Sequence, residues 1–146
     1  MNKLYVLVGL PASGKSTIAD VYRKKGLAVV SIDEIKSADE KCDCDAVAFK
    51  EINERLKVGS VVFDACSNTK AYRKWLESEI KEPHETVCIV LNETPDVCLE
   101  RLKKRNAEGH QFYSEESFKK RLMELEYPTT KEYKDIYLIT KGRTKV

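Results

Sequence analysis

Short apolar runs alternate with amphipathic segments along the chain. Runs rich in β-branched residues predict strands at residues 4–8, 28–32, 61–63, 87–91 and 136–139. Apolar residues at helical spacing predict helices at residues 15–25, 46–57, 70–81, 96–105 and 114–125. Because strands that alternate with helices form parallel sheets, the pattern predicts a three-layer α/β domain with a mostly parallel central sheet. The unbroken apolar run at 4–8 predicts the central strand.

The segment between the first strand and the first helix carries a phosphate-binding motif. Residues 9–16 read GLPASGKS, which matches G-x-x-x-x-G-K-[ST] in full. In such a loop the backbone amides surround phosphate oxygens, and the helix N-terminus adds partial positive charge. Lys15 is predicted to reach the β- and γ-phosphates, and Ser16 to complete the shell of Mg²⁺. The residues predicted to bind ATP are Gly9, Ala12, Ser13, Gly14, Lys15, Ser16 and Thr17.

Composition narrows the class of protein. The 146 residues fit one compact P-loop domain spanning residues 1–146, and the net charge of +2 is too small to identify a polyanion-binding protein. The apolar run before the motif is too short for a membrane span or a secretory signal, which predicts a cytoplasmic protein.

Five cysteines without an export signal indicate reduced thiols. A zinc site at Cys42 and Cys44 is the alternative, although no second Cys or His pair stands at a partnering distance.

Two carboxylates follow predicted strands, at the edge of the sheet where the phosphate loop lies. Asp33 comes just after the second strand, where it can accept a proton from an attacking hydroxyl or cap the next helix. Asp64 ends the third strand, where such a carboxylate binds Mg²⁺ directly or through water, or else contacts the acceptor. Ala65 follows it rather than Glu, which weakens the interpretation as an ATP hydrolase.

Basic residues crowd the end of the helix at 96–105. Arg101 and Arg105 stand one turn apart, where two arginines would neutralise the charge that develops on a transferring phosphoryl group. The alternative is a solvated helix end favoured by the helix dipole. Residues 101–113 are predicted to form a lid that excludes water. The acidic segment at 37–45 is predicted to be a solvated loop rather than an ion site.

Taken in this order, these residues resemble the family of P-loop polynucleotide 5′-hydroxyl kinases and related small ATP-dependent kinases. The likeness spans roughly the whole chain and rests on the phosphate loop, Asp33, the segment 64–69 with Arg73, and the Arg101/Arg105 pair. It implies a catalytic set of Lys15, Asp33, Arg101 and Arg105, in which Asp33 activates the acceptor hydroxyl and the two arginines contact the donor phosphates. An alternative alignment makes Arg105 the first lid arginine and leaves no second one.

The resemblance also implies how the acceptor is held. Lys36, Asp64 and Arg73 are the predicted substrate-binding residues. Polynucleotide kinases typically carry Arg three residues after the base, and here that residue is Lys36, which binds phosphate as a point charge and lacks the bidentate fork.

Three interpretations of function follow. A kinase of DNA or RNA 5′ ends predicts an open, basic groove near Asp33 and Lys36, with strongly salt-dependent affinity. A kinase of a small metabolite, nucleoside or hydroxylated DNA base predicts an enclosed pocket. A nucleotide-dependent switch or ATPase would release phosphate without any acceptor.

Overall fold

The computed structural model describes residues 1–110 and 112–139, so that Gln111 of the predicted lid and residues 140–146 lie outside the described part. The strands are β1 (Lys3–Val8), β2 (Ala28–Ser31), β3 (Val61–Asp64), β4 (Glu85–Leu91) and β5 (Asp135–Ile139). The helices are α1 (Lys15–Lys24), α2 (Ile32–Ala38), α3 (Cys44–Leu56), α4 (Lys70–Glu79), α5 (Pro95–Ala107) and α6 (Glu115–Glu124).

The five strands form one parallel sheet in the order β2-β3-β1-β4-β5. β1 is the central strand, and it pairs with β3 on one side and β4 on the other. The prediction of a mostly parallel sheet with a central first strand is therefore confirmed.

Both faces of the sheet are buried under helices. Successive residues of β1 point to opposite faces, so Leu4 and Val6 join one core cluster and Leu7 joins another. The first cluster packs against α3 and α4 through Phe49, Ile52 and other apolar side chains, and the second packs against α1. This double burial explains why the strands read as continuous apolar runs, and it confirms the three-layer α/β fold.

Helix α2 is absent from the sequence-based prediction. The chain passes from β2 directly into this helix, and the Ser31 hydroxyl accepts a hydrogen bond from the Glu34 amide at 3.3 Å. Ser31 is therefore the N-cap, and Asp33, the alternative cap, lies in the first turn. Ile32 and Ile35 are half-buried against the first core cluster, and two apolar positions in a helix of seven residues are too few to establish a helical period. The connection to α3 is correspondingly shorter than the predicted loop at 37–45.

No helix within residues 1–110 and 112–139 is long and apolar enough to cross a membrane.

Candidate active site

The carboxyl ends of β1, β3 and β2 bring the predicted site residues to one edge of the sheet. β2 and β3 pair in register so that Ser31 stands opposite Asp64, and β3 neighbours β1, which leads into the phosphate loop. Residues that are far apart in sequence therefore meet where ligands bind in open parallel sheets.

The phosphate loop is held in a tight conformation. Gly14, the N-cap of α1, has a φ of 105°, and Ala12 has a φ of 63°, a left-handed conformation that is uncommon for a residue with a side chain. At Gly9 a Cβ atom would lie 2.6 Å from the Ser13 hydroxyl oxygen and 3.3 Å from the Leu91 carbonyl oxygen, so the turn excludes a larger residue there. Ser13 is buried and its hydroxyl has no hydrogen-bond partner among the described residues. The loop is thus built before any ligand binds.

Lys15 folds back over this loop. Its ammonium group donates hydrogen bonds to the carbonyl oxygens of Gly9 at 3.0 Å and Leu10 at 2.8 Å. The side chain is buried. Neutral carbonyls satisfy its donors without neutralising its charge, so a phosphate oxygen would be a stronger partner. Thr17, the last residue of the predicted ATP set, is exposed in the first turn of α1.

Ser16 and Asp64 form the oxygen pair that could hold Mg²⁺. The Ser16 hydroxyl donates to the Asp64 carboxylate at 3.2 Å. Burial raises the pKa of Asp64, and the nearby charges of Asp33 and Glu34 raise it further, while the Lys15 charge and the Ser16 hydrogen bond oppose the shift. A hydroxyl and a partly desolvated carboxylate are hard oxygen ligands of the kind that this ion prefers.

Asp33 lies beside this pair and is exposed in the first turn of α2. Its charge contributes to the raised pKa of Asp64 and also raises the pKa of Tyr113, for which burial is the main cause. The Asp33 carboxylate is therefore within electrostatic range both of Asp64 and of Tyr113, which precedes α6. Lys36 is exposed one turn further along α2, on the same side as Asp33.

Of the predicted arginine pair, Arg101 contacts the phosphate loop. Its guanidinium donates to the carbonyl oxygen of Ala12 at 3.2 Å and to the Glu93 carboxylate at 3.1 Å. Arg105 lies one turn later and is exposed. The difference follows from packing, because Cys98 and Leu102 bury one face of α5 against the loop and aim Arg101 at its backbone.

Sequence reasoning missed the residues that shape the segment after α5. The Asn106 side chain donates to the Tyr113 carbonyl at 2.8 Å and accepts from the Tyr113 amide at 3.0 Å, which closes the intervening loop at its base. The Tyr113 hydroxyl accepts a 3.4 Å hydrogen bond from Arg121 of α6. The charge of Cys66 adds to the raised pKa of both side chains, so the loop after β3 lies nearby. No motif marks these residues, because only the fold brings them together.

Arg73 does not fit its predicted substrate role. Its side chain is fully buried, and it makes a bidentate ion pair with Glu132 at 2.9 and 3.2 Å. The remaining donors reach the carbonyl oxygens of Ser67 at 2.7 Å and Glu126 at 2.8 Å. This arginine has no surface to offer an acceptor, and it instead joins the loop after β3 to the segment that leads into β5.

The buried side chain of Asn68 continues this network to the phosphate loop. Its carbonyl oxygen accepts a 3.1 Å hydrogen bond from the Gly9 amide, and its backbone carbonyl accepts a 2.7 Å bond from the Glu126 amide. Asn68 therefore fixes the start of the phosphate loop against the framework that Arg73 holds.

This fold and this loop define a P-loop domain of the kinase type. A sequence profile described as "AAA domain" matches residues 4–128, and the chain belongs to this AAA domain family. No curated protein matches the chain in sequence.

Solved structures share the fold at low sequence identity. A sugar kinase from Janibacter is 18% identical, with a TM-score of 0.73 over 96% of this chain and 86% of that chain. A gluconokinase from Sinorhizobium meliloti is 20% identical, with a TM-score of 0.64 over 97% of this chain and 83% of that chain. The Pnkp1/Rnl/Hen1 RNA repair complex is 19% identical, with a TM-score of 0.72 over 85% of this chain and 44% of that chain. The expected resemblance to small P-loop kinases is confirmed at the level of the fold.

Replacing Asp64 with Asn should stabilise the ligand-free protein. A carboxyl whose pKa is raised on folding destabilises the protein at pH values above that raised pKa, and the penalty disappears as the pH falls below the ordinary value. Asp64→Asn removes the desolvated charge, so at neutral pH we expect the melting temperature to rise by about 2–4 °C, equivalent to about 1 kcal/mol. The gain should shrink in acid. An unchanged or lower melting temperature at neutral pH would contradict this account of the site.

Replacing Arg73 with Met should strongly destabilise the fold. The substitution leaves the half-buried Glu132 and two carbonyl oxygens without their partner, which should cost about 3–5 kcal/mol of unfolding free energy. The matched control is Arg55→Met, which removes an exposed pair with Glu51 at 3.8 Å and should cost less than about 1 kcal/mol. Urea unfolding of both variants measures the difference, and equal losses would show that the Arg73 network does not support the fold.

Proposed function

We propose that this protein is an ATP-dependent kinase that transfers the γ-phosphoryl group to an acceptor hydroxyl, and that this acceptor is the 5′-hydroxyl of DNA or RNA. The observation that carries the proposal is the meeting of Asp33 with Asp64 and the Ser16 hydroxyl beside a complete phosphate loop. The proposal takes residues 1–146 as one kinase domain that works in the cytoplasm.

On the donor side, Lys15 supplies positive charge to the β- and γ-phosphates. To do so its ammonium group exchanges the Gly9 and Leu10 carbonyl oxygens for phosphate oxygens. Amides of the phosphate loop from Gly9 to Thr17 surround the same phosphates. Ser16 and Asp64 would hold Mg²⁺, which supplies charge neutralisation for the phosphates when bound.

On the acceptor side, Asp33 acts as the general base. Its carboxylate accepts the proton of the acceptor hydroxyl while the new oxygen–phosphorus bond forms and the bond between the β–γ bridging oxygen and the γ-phosphorus breaks. Exposure leaves the carboxylate accessible to an incoming hydroxyl. The two acidic residues therefore have separate roles, since Asp64 is hydrogen-bonded to Ser16 and Asp33 faces the acceptor.

The lid of this kinase is residues 101–113. Arg101 already touches the backbone of the phosphate loop, and Arg105 follows one turn later on the same helix. Closure of the segment would bring Arg105 over the donor phosphates and exclude water, which favours transfer over hydrolysis.

Exposure around Asp33 supports a nucleic-acid end as the acceptor. Asp33 and Lys36 are both open to solvent, and Arg121 donates a hydrogen bond to Tyr113, whose pKa the Asp33 charge raises. The end of a nucleic-acid chain can reach such a surface, and its phosphates would contact the cationic side chains of Lys36 and Arg121. The fold shared with the RNA repair complex is consistent with this assignment.

A small polyhydroxylated acceptor is the second candidate. The observation that favours it is the match to the sugar kinase and the gluconokinase, each of which aligns over most of its own length. Here Lys36 and Arg121 would hold an anionic or polar group of a metabolite.

A labelling experiment separates these acceptors. The protein is incubated with Mg²⁺ and ATP labelled on the γ-phosphate, together with 5′-hydroxyl DNA or RNA, nucleosides, gluconate and other sugars, or no acceptor. We expect label on the oligonucleotide ends, with affinity that falls as the salt concentration rises. Label on sugars or nucleosides alone would move the acceptor to the second candidate. Free phosphate without a labelled acceptor would contradict the kinase proposal and indicate an ATPase.

Asp33→Asn should separate chemistry from nucleotide binding. Loss of the base is expected to lower the rate of transfer by about 10²–10⁴-fold, while the Kd for ATP changes little because the phosphate loop is untouched. Asp39→Asn at the end of the same helix is the matched control and should keep the wild-type rate. Transfer by Asp33→Asn at the control rate would remove this carboxylate from the mechanism.

A further inference from the structure

A pair of cysteines lies outside the candidate active site, in the connection between α2 and α3. The sulfur atoms of Cys42 and Cys44 are 3.0 Å apart, and the Cys44 thiol also lies 3.8 Å from the Cys42 carbonyl oxygen. Both residues are half-buried. The connection is short, since the Cys42 amide donates to the Asp39 carbonyl at 3.2 Å and Asp43 caps α3.

We propose that Cys42 and Cys44 form a redox site that closes to a reversible intramolecular disulfide by exchange with a small disulfide such as oxidised glutathione. Residues two apart in sequence have Cα atoms at most about 7 Å apart, which matches the reach of a disulfide. The sulfur atoms must approach by only about 1 Å to reach the bonded distance of about 2.05 Å.

The other cysteines do not offer such a pair. Cys88 and Cys98 are fully buried, and burial raises the pKa of the Cys88 thiol to about 12. Cys66 is half-buried, like the proposed pair, and it has no hydrogen-bonded sulfur partner among the described residues, which include all five cysteines. A disulfide reagent should therefore distinguish residues 42 and 44 from the rest.

The exchange can begin at either thiol, because the two sulfur atoms share a hydrogen bond in which either can be the donor. The thiolate of one cysteine attacks one sulfur of oxidised glutathione, the glutathione disulfide breaks, and one glutathione thiolate leaves and takes up a proton. The other cysteine then loses its proton and attacks the protein sulfur that carries the glutathione adduct, and the second glutathione leaves with that proton. Two protein thiols are oxidised and one glutathione disulfide is reduced to two thiols.

Alkylation and mass spectrometry test this site on the full chain. The folded, reduced protein is equilibrated with excess oxidised glutathione, and it is then unfolded in guanidinium chloride with iodoacetamide, so that the buried Cys88 and Cys98 are alkylated together with every other remaining thiol. We expect the number of alkylated cysteines to fall from five to three, with the mass loss of two hydrogens confined to the peptide that holds both Cys42 and Cys44. Dithiothreitol should restore all five.

Single cysteine substitutions test each partner of the proposed disulfide separately. Cys42→Ser and Cys44→Ser each remove one partner, so the remaining cysteine of the pair should carry a stable glutathione adduct that the wild type does not accumulate. Cys66→Ser is the matched control and should still lose the same pair of thiols. Five alkylated cysteines in the oxidised wild type, a persistent glutathione adduct on it, or a disulfide to another cysteine or another chain would overturn the proposal.

Discussion

The buried guanidinium of Arg73 is the constraint on which the rest of the site depends. It joins Glu132, ahead of β5, to the loop that follows β3, and Glu132 lies 59 residues beyond Arg73 in sequence. A fully desolvated cation is costly unless every donor is paired, so the surrounding backbone must hold its carbonyl oxygens in place. Asn68 lies in that held loop and fixes the Gly9 amide. The position of the phosphate loop is thereby tied to the far edge of the sheet.

The charges of Lys15 and Asp64, at the carboxyl edge of the sheet, are only partly compensated by their neighbours. Lys15 is satisfied by carbonyl oxygens that leave its charge intact, and Asp64 is partly buried with a raised pKa. In the ligand-free protein neither the Lys15 charge nor the Asp64 charge is therefore fully compensated. An anionic phosphate next to Lys15 and a cation next to Asp64 and Ser16 would relieve both at once. Such a site gains from binding the two ligands together.

Local patterns predicted most of the fold and marked the phosphate loop of the candidate site. The phosphate loop could be recognised because its function needs fixed residues at fixed offsets within eight positions. The strands could be recognised because burial on both faces leaves unbroken apolar runs, as in β1. Helix α2 was missed because its seven residues place only Ile32 and Ile35 against the core, a pattern too short to show a helical period. The substrate-binding role of Arg73 was wrongly predicted. A basic residue at a helix start gives the same sequence pattern whether its side chain faces solvent or pairs with a carboxylate on a distant segment.

The difference in exposure between Asp33 and Asp64 bears on the choice between transfer and hydrolysis. Asp64 is partly buried at the end of β3 and accepts a hydrogen bond from Ser16. Ala65 follows it and is buried, which leaves no second acidic group there to activate water. Glu34 is paired with Arg23, whereas Asp33 beside it is exposed and lies close enough to Tyr113 for its charge to raise the pKa of that side chain. An exposed base of this kind is open to water as well as to an acceptor, so it would gain selectivity for transfer only when the acceptor or the lid excludes water.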